Sequence, residues 1–289
     1  MIRRRLALLI AVMWTIPMAG LVLSSLRPGE AMGAGGWWMV LGDPSLTLGN
    51  YREALSGSTA MPDGVMPYLV NSIAIALPAT ALPLLLGSLA AYALAWMPMR
   101  RSLAVLMAII GLQLMPVQVA LLPLLQTLAQ GWTIGSIVVF PQLDMDRSYI
   151  PLWLAHTVFA LPLTIFLLYG AMSALPRDVM EAARLDGASH GLIFSRIVIP
   201  LAFPVIAAFA VVQFLWAWND VLIALAFTGG TTQVTPITAY LVRIQGLSAS
   251  DPGLVGAVAV LAVVIPTILF IVLHRSYARG ILGSVIKGS

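Results

Sequence analysis

Long apolar runs separated by short polar connections dominate the chain, and six of them reach the length that a membrane requires. They extend approximately from Leu6 to Leu26, Tyr68 to Met97, Leu103 to Gln126, Ile150 to Met172, Pro200 to Phe227 and Leu254 to Leu273. A hydrocarbon core of about 30 Å needs roughly 20 mostly apolar residues in a helix. Backbone groups in lipid must satisfy one another, so the runs predict helices and not strands. The expected fold is an all-α membrane protein: a bundle of six transmembrane helices in one domain over residues 1–289, with its core at 68–273. Prolines fall within or near several runs, at Pro17, Pro78, Pro83, Pro116, Pro123, Pro162, Pro204 and Pro266. Each removes a backbone donor and tends to kink its helix.

Composition agrees with this pattern. Apolar residues make up 60% of the chain and charged residues 9%, too little polar surface to cover a soluble globule of this size. Cysteine is absent, which excludes a disulfide framework, and His156, His190 and His274 are too far apart in sequence to suggest a metal cluster. No catalytic residue and no metal ligand is assigned.

The formal charge of +4 reflects topology better than nucleic-acid binding, and no nucleic-acid partner is expected. With the N-terminus inside, the inner connections hold 11 basic residues: Arg3, Arg4, Arg5, Arg100, Arg101, Arg177, Arg184, Arg196, Arg275, Arg279 and Lys287. The outer ones hold 4, Arg27, Arg52, Arg147 and Arg243. This asymmetry predicts that both termini are cytoplasmic. Acidic residues lean outward, with Glu30, Asp43, Glu53, Asp63, Asp144, Asp146 and Asp251 on that side. The first run could be a cleaved signal led by Arg3 to Arg5, but it exceeds the usual ~7 to 15 residues of a signal's apolar region, which favours a retained helix.

The outer segment from Arg27 to Pro67 carries Trp37, Trp38 and Tyr51 and predicts a loop with a short helix at headgroup level. A second, Ala129 to Tyr149, contains an apolar stretch from Ile134 to Val139 that is too short to span. In the third, Thr228 to Gly253, a glycine and threonine cluster reads as a turn. No internal repeat is evident, which argues against an inverted-repeat secondary transporter.

The most informative stretch is the inner loop at 173–204. Pro176 suits a first helical turn, and Asp178 and Glu181 follow where the helix dipole favours negative charge. A short helix is predicted from Pro176 to Leu185. Gly187 permits a sharp turn, and Asp186 is placed to cap a second helix beginning near Ala188. That helix has an apolar side, Leu192, Ile193, Ile197 and Val198, and leads to Pro200 and the next span. Two short helices joined at a bend make a compact knob.

Glu181-Ala182-Ala183, Asp186-Gly187-Ala188, and then Phe194, Ile197 and Pro200 resemble the EAA motif of binding-protein-dependent ABC importer permeases. The resemblance implies a type I importer permease fold and a coupling helix seated in a cleft of an ATPase subunit. Ala182, Ala183 and Gly187 would allow close approach there, and Glu181 and Arg184 would make polar contacts at the rim. It also implies the partners: a second homologous permease, two ATP-binding cassette ATPase subunits that bind ATP and Mg, and an external sugar-binding protein. This chain itself would bind no cofactor.

Further stretches are similar to the carbohydrate-importing branch, in its maltose-type smaller-permease group. They are Trp216-Ala217-Trp218-Asn219-Asp220 with Leu222 to Phe227, Asn50-Tyr51, Asn71-Ser72, and the tail at 274–289 from His274 through Gly280 to Lys287-Gly288. Gln142 to Trp153 and the run ending in Asn219-Asp220 look most like alpha-glucoside permeases. The resemblance implies the bacterial inner membrane as location.

Asp220 is placed inside the fifth span, where a charge costs ~2.5 to 3.5 kcal/mol at the helix centre, so it should face the bundle. Either Asn219, Asp220 and the rings of Trp216 or Trp218 line a sugar route, or Asp220 pairs structurally near the outer interface. Asn71, Gln113 and Gln118 are further polar candidates for the route, with packing hydrogen bonds as the alternative role. His156 reads as a structural hydrogen bonder.

A membrane enzyme would need convergent nucleophiles, paired carboxylates or metal ligands, and none is found. Lys287, the only lysine, is not preceded by the glycine-rich run of a P-loop, so ATP must come from another subunit. A secondary transporter of a small polar solute is the remaining alternative, supported only by Asp220.

Overall fold

The computed structural model describes residues 2–29, 31, 35–57, 62–145, 147–228, 233–247 and 251–285. Glu30, Asp146, the Gly229 to Thr232 turn and the Lys287-Gly288 end of the tail signature lie outside the described residues. The helices are α1 (Ile2–Ser25), α2 (Gly49–Ser56), α3 (Met66–Trp96), α4 (Ser102–Gln113) and α5 (Val117–Gln130). After a hairpin come α6 (Ile150–Ser173), α7 (Arg177–Leu185), α8 (His190–Asn219), α9 (Leu222–Thr228), α10 (Ile237–Leu247) and α11 (Pro252–Val285). Among the described residues five helices are long and apolar enough to cross a membrane, or six if α4 and α5 count as one bent span.

Two of the expected spans are corrected. The run from Leu103 to Gln126 is not one helix: α4 and α5 meet at 95°. Pro116 is the cause, because it stands extended at φ −60°, ψ 133° as the cap of α5, and a proline disfavours helical backbone at the residue before it. The run from Pro200 to Phe227 is also divided. Its helix starts at His190 and stops at Asn219, Asp220 is extended, and α9 begins afresh at Leu222.

The outer segments are structured locally. Trp37–Leu41 forms a 3₁₀ turn, and α2 is the short helix anticipated beyond it. The stretch that is too short to span forms an antiparallel hairpin, Trp132–Ile134 with Ile137–Phe140, the one departure from the all-α expectation among the described residues.

The chain divides into two compact units, residues 1–72 with 230–267 and residues 73–229 with 268–289. In the first, the Asn50 amide donates to the carbonyls of Ser25 (2.9 Å) and Arg27 (2.7 Å), and the Ser25 and Tyr51 hydroxyls share a bond of 2.6 Å. The bond to Ser25 O satisfies a carbonyl that the end of α1 leaves without a helical partner. Asn71 donates to Thr235 O at 3.0 Å, and Ser72 Oγ accepts from Ile237 N at 2.8 Å, so α10 is tied to the start of α3. Tyr68 and Tyr240 stack at 3.7 Å beside them. Burial, with the Tyr68 phenol alongside, pushes the Tyr240 hydroxyl up to about 12, so it stays neutral at physiological pH.

In the second unit, Pro78 and Pro83 lie inside α3 without kinking it apart. Each lacks the N–H that would serve the carbonyl four residues earlier, which orphans Ala74 O and Ala79 O. Neighbouring helices supply the missing donors: Trp153 Nε1 of α6 donates to Ala74 O at 2.9 Å, and Gln213 Nε2 of α8 donates to Ala79 O at 3.3 Å. Interior proline is tolerated in a membrane helix when its freed carbonyl is served in this way. Gly87 then brings α3 onto α6, since a Cβ there would lie 2.5 Å from Thr164 Cγ2.

Trp153→Phe keeps an aromatic ring and removes the donor. It is expected to destabilise the purified assembly by about 1 to 3 kcal/mol, the cost of an unmet buried acceptor. Adding Pro78→Ala restores the backbone donor and should recover most of the loss in a thermal melt, whereas equal melting of single and double variants would refute the assignment.

Candidate functional site

The loop after α6 is organised by one glycine. α7 ends in a closed turn in which Gly187 N donates to Arg184 O and Ala188 N to Ala183 O, both at 3.0 Å. That double closure requires a left-handed residue one place beyond the cap, and Gly187 supplies it at φ +78°. A Cβ at Gly187 would meet nothing within 4 Å, so the need is for the dihedral and not for space. Asp186 is thereby the C-terminal cap of α7, which corrects the expectation that it opens the next helix. Ser189 does that instead, its side chain accepting from Leu192 N at 3.4 Å.

α8 then runs from the knob into the membrane without a break. A π-turn over Phe194–Val198, closed by Ile199 N donating to Phe194 O, widens the helix immediately before Pro200. The wider turn accommodates the ring of Pro200, which would otherwise press on the carbonyl four residues back.

The knob has one buried face. Met180 and Ala183 of α7, three residues apart, pack with Ile193 and Val198 of α8, Leu168 and Met172 of α6, and Tyr92 of α3. Ala188, Phe194 and Ile197 lie at the edge of this cluster. Polar bonds reinforce it: Trp96 Nε1 donates to Met172 O at 2.9 Å, and Tyr92 Oη lies 2.9 Å from His190 Nδ1. Arg184 Nη2 donates to Trp96 O at 2.6 Å, placing a cation on the C-terminal carbonyl of α3. Arg184 thus fastens the knob to α3, in addition to any rim contact the sequence suggested for it. On the opposite face Glu181, Ala182 and Asp186 are exposed, and Leu185 is 89% exposed.

A second site lies in the same unit. A cavity of about 480 Å³ is walled by Gln113, His156, Gln213, Trp216, Asn219 and Asp220, with Val117, Phe159 and Ile223 among its apolar contacts. Gln113 ends α4 and Val117 opens α5, while Asn219 ends α8 and Ile223 belongs to α9. Both helix breaks of the unit therefore open onto one space, the setting in which irregular backbone at membrane depth is tolerated.

Asp220 is not inside a helix, as the sequence suggested, but in the second break. Its Oδ1 accepts from Ile223 N at 2.9 Å and caps α9. Asn219 Nδ2 donates to Leu215 O at 2.8 Å. Trp216 is 55% exposed and presents its ring, whereas Trp218 is buried and stacked on Phe214 at 5.6 Å, so it does not line the space. Asn71 belongs to the other unit and makes the packing bond described above, and the exposed Gln118 is not part of the wall.

Gln213 and His156 join the wall, beyond the residues that the sequence points to. Gln213 carried a signal: it is the only hydrogen-bonding polar side chain other than tryptophan between Pro200 and Asn219. Its Oε1 is buried without a partner. Among the described residues no group of three or more His, Asp or Glu could hold a metal ion.

Residues 83–282, which contain both sites, match the family described as binding-protein-dependent transport system inner membrane component. The chain is 41% identical over 97% of its length, and 90% of the relative's, to an osmoprotective compounds uptake permease protein of Synechocystis sp.. It is also 41% identical over 85% of its length to an alpha-glucoside transport system permease protein of Rhizobium meliloti, covering 61% of that protein. In fold it is similar to a chain of a bacterial ABC transporter involved in import of the acidic polysaccharide alginate, with a TM-score of 0.76 at 17% identity over 96% of this chain and 95% of that one.

Proposed function

The chain belongs to the family of binding-protein-dependent transport system inner membrane components, and from that premise we propose that it is a permease subunit of an ATP-driven sugar importer. It forms half of the translocation pathway, with a second homologous permease as the other half. Two ATP-binding cassette subunits bind ATP and Mg and drive it, and an external binding protein delivers the sugar. An α-glucoside or related oligosaccharide is the substrate, a reading supported by the alpha-glucoside relative.

The observation that carries the proposal is the knob. α7 offers an exposed Glu181, Ala182 and Leu185, and its other face is bolted to α3, α6 and α8. A push on that surface moves three spans together, because packed interiors transmit displacement and do not absorb it. The count of 11 inner against 4 outer basic residues supports a cytoplasmic position for the knob and for both termini. In the cavity, Gln113, Gln213, Asn219 and Asp220 supply hydrogen-bonding groups for hydroxyls, and the exposed Trp216 ring offers a face for a sugar.

Reconstitution tests this directly. The purified chain alone should hydrolyse no ATP, and the assembled complex should hydrolyse it faster when sugar-loaded binding protein is added. Hydrolysis by the chain alone, or sugar uptake driven by an ion gradient without ATP, would contradict the proposal.

A further inference from the structure

We infer that Asp220 makes the cavity a charge filter that admits neutral polyhydroxylated solutes and rejects acidic sugars such as uronates. The inference rests on the sugar-import reading of this same cavity. Its wall carries one carboxylate, and no lysine or arginine is present among the described residues that line it.

Acceptor atoms lie beside the charge. Asp220 has one oxygen engaged by Ile223 N and the other uncommitted to that cap. Gln213 has its amide nitrogen committed to Ala79 O, and this fixes which end of the side chain faces elsewhere. Its Oε1 is buried and unpartnered, so it is an acceptor in search of a donor. The Asp220 oxygen outside the cap suits a solute rich in hydroxyl donors. An ionised carboxylate offers only acceptors and would bring a second negative charge. At an effective dielectric of roughly 20, two like charges about 6 Å apart repel enough for about a hundredfold discrimination. Selectivity of this kind arises from an unfavourable contact with the wrong solute as much as from a good contact with the right one.

The test uses the complete complex, with partner permease and ATPase subunits, in lipid nanodiscs and without external binding protein, so that only the membrane site selects. Binding of radiolabelled maltose is competed with unlabelled maltose or with a disaccharide of the same linkage carrying glucuronic acid. The titration is run at pH 8, where an ordinary imidazole is neutral, so that His156 does not mask the carboxylate. The wild-type complex should prefer maltose by about fiftyfold or more. Asp220→Asn retains an Oδ1 able to cap α9, because asparagine caps as well as aspartate. It should bring the preference to within about fivefold, chiefly by gaining affinity for the acidic sugar. An unchanged preference in Asp220→Asn and Asp220→Ala, with sugar still bound, would overturn the filter alone. A wild-type complex that binds no sugar of either kind would overturn the filter, and the import reading falls with it only if sugar-loaded binding protein also fails to stimulate ATP hydrolysis by that complex.

Discussion

Replacing Gly187 by valine should lower sugar uptake by about tenfold or more while leaving the amount of protein in the membrane unchanged. The turn after α7 holds this residue at φ +78°, a region that costs an L-residue roughly 1 to 2 kcal/mol and a β-branched one more. Relaxing the backbone would undo the bonds from Gly187 N and Ala188 N and turn the exposed face of α7 away from its partner. Since nothing lies within 4 Å of the position a Cβ would take, crowding cannot account for a loss. Gly187→Asn provides the control, because asparagine tolerates left-handed backbone, and should transport within about twofold of wild type. Initial uptake rates normalised to membrane content decide the matter. Full transport by the valine variant, or an equal loss with asparagine, would mean that the bend does not depend on this dihedral.

Met180→Asp should abolish uptake by cutting the knob from the bundle. Met180 is 1% exposed and sits among Tyr92, Leu168, Met172 and Ile193, where an unpaired carboxylate costs several kcal/mol. The helix would lift off to hydrate it. Met180→Leu nearly conserves volume and should cost less than about 1.5 kcal/mol, leaving transport intact. The informative readout is the ratio of ATP hydrolysed to sugar moved. In Met180→Asp, stimulation of hydrolysis by loaded binding protein should vanish even where the ATPase subunits still co-purify. Retained stimulation would show that force reaches the spans by some route other than this packing.

The apolar runs were legible because lipid imposes a length and a composition that few other environments demand. Their breaks were not. Pro78, Pro83, Pro162, Pro204 and Pro266 all lie inside continuous helices, and Pro116 alone of the prolines in the third run stands at a 95° bend. What differs is the surroundings: Ala74 O and Ala79 O find donors in Trp153 and Gln213, which are 79 and 134 residues away in sequence. Such rescue is tertiary and leaves no local trace.

The knob was legible because its determinants are local, namely a glycine, two small residues and an apolar pair at helical spacing. Its misplaced cap has a local cause too. Asp186 and Ser189 are both good capping types, and only the closure of α7 over Gly187 decides between them. In the cavity, the charge of Asp220 stands out in the sequence but the helix break that holds it does not, and Trp216 and Trp218 meet different environments although they are close in sequence. Helical neighbours two residues apart seldom share a face, which would have separated them.

Cysteine chemistry tests the central claim most directly, because the chain contains no cysteine of its own and an introduced one is unique. A cysteine at the 89% exposed Leu185, in the complete complex within inside-out vesicles, should form a crosslink to the ATPase subunit, with a yield that changes when ATP is bound. Labelling of that cysteine by an impermeant maleimide from the external side of intact cells, with no adduct to the ATPase subunit, would contradict it.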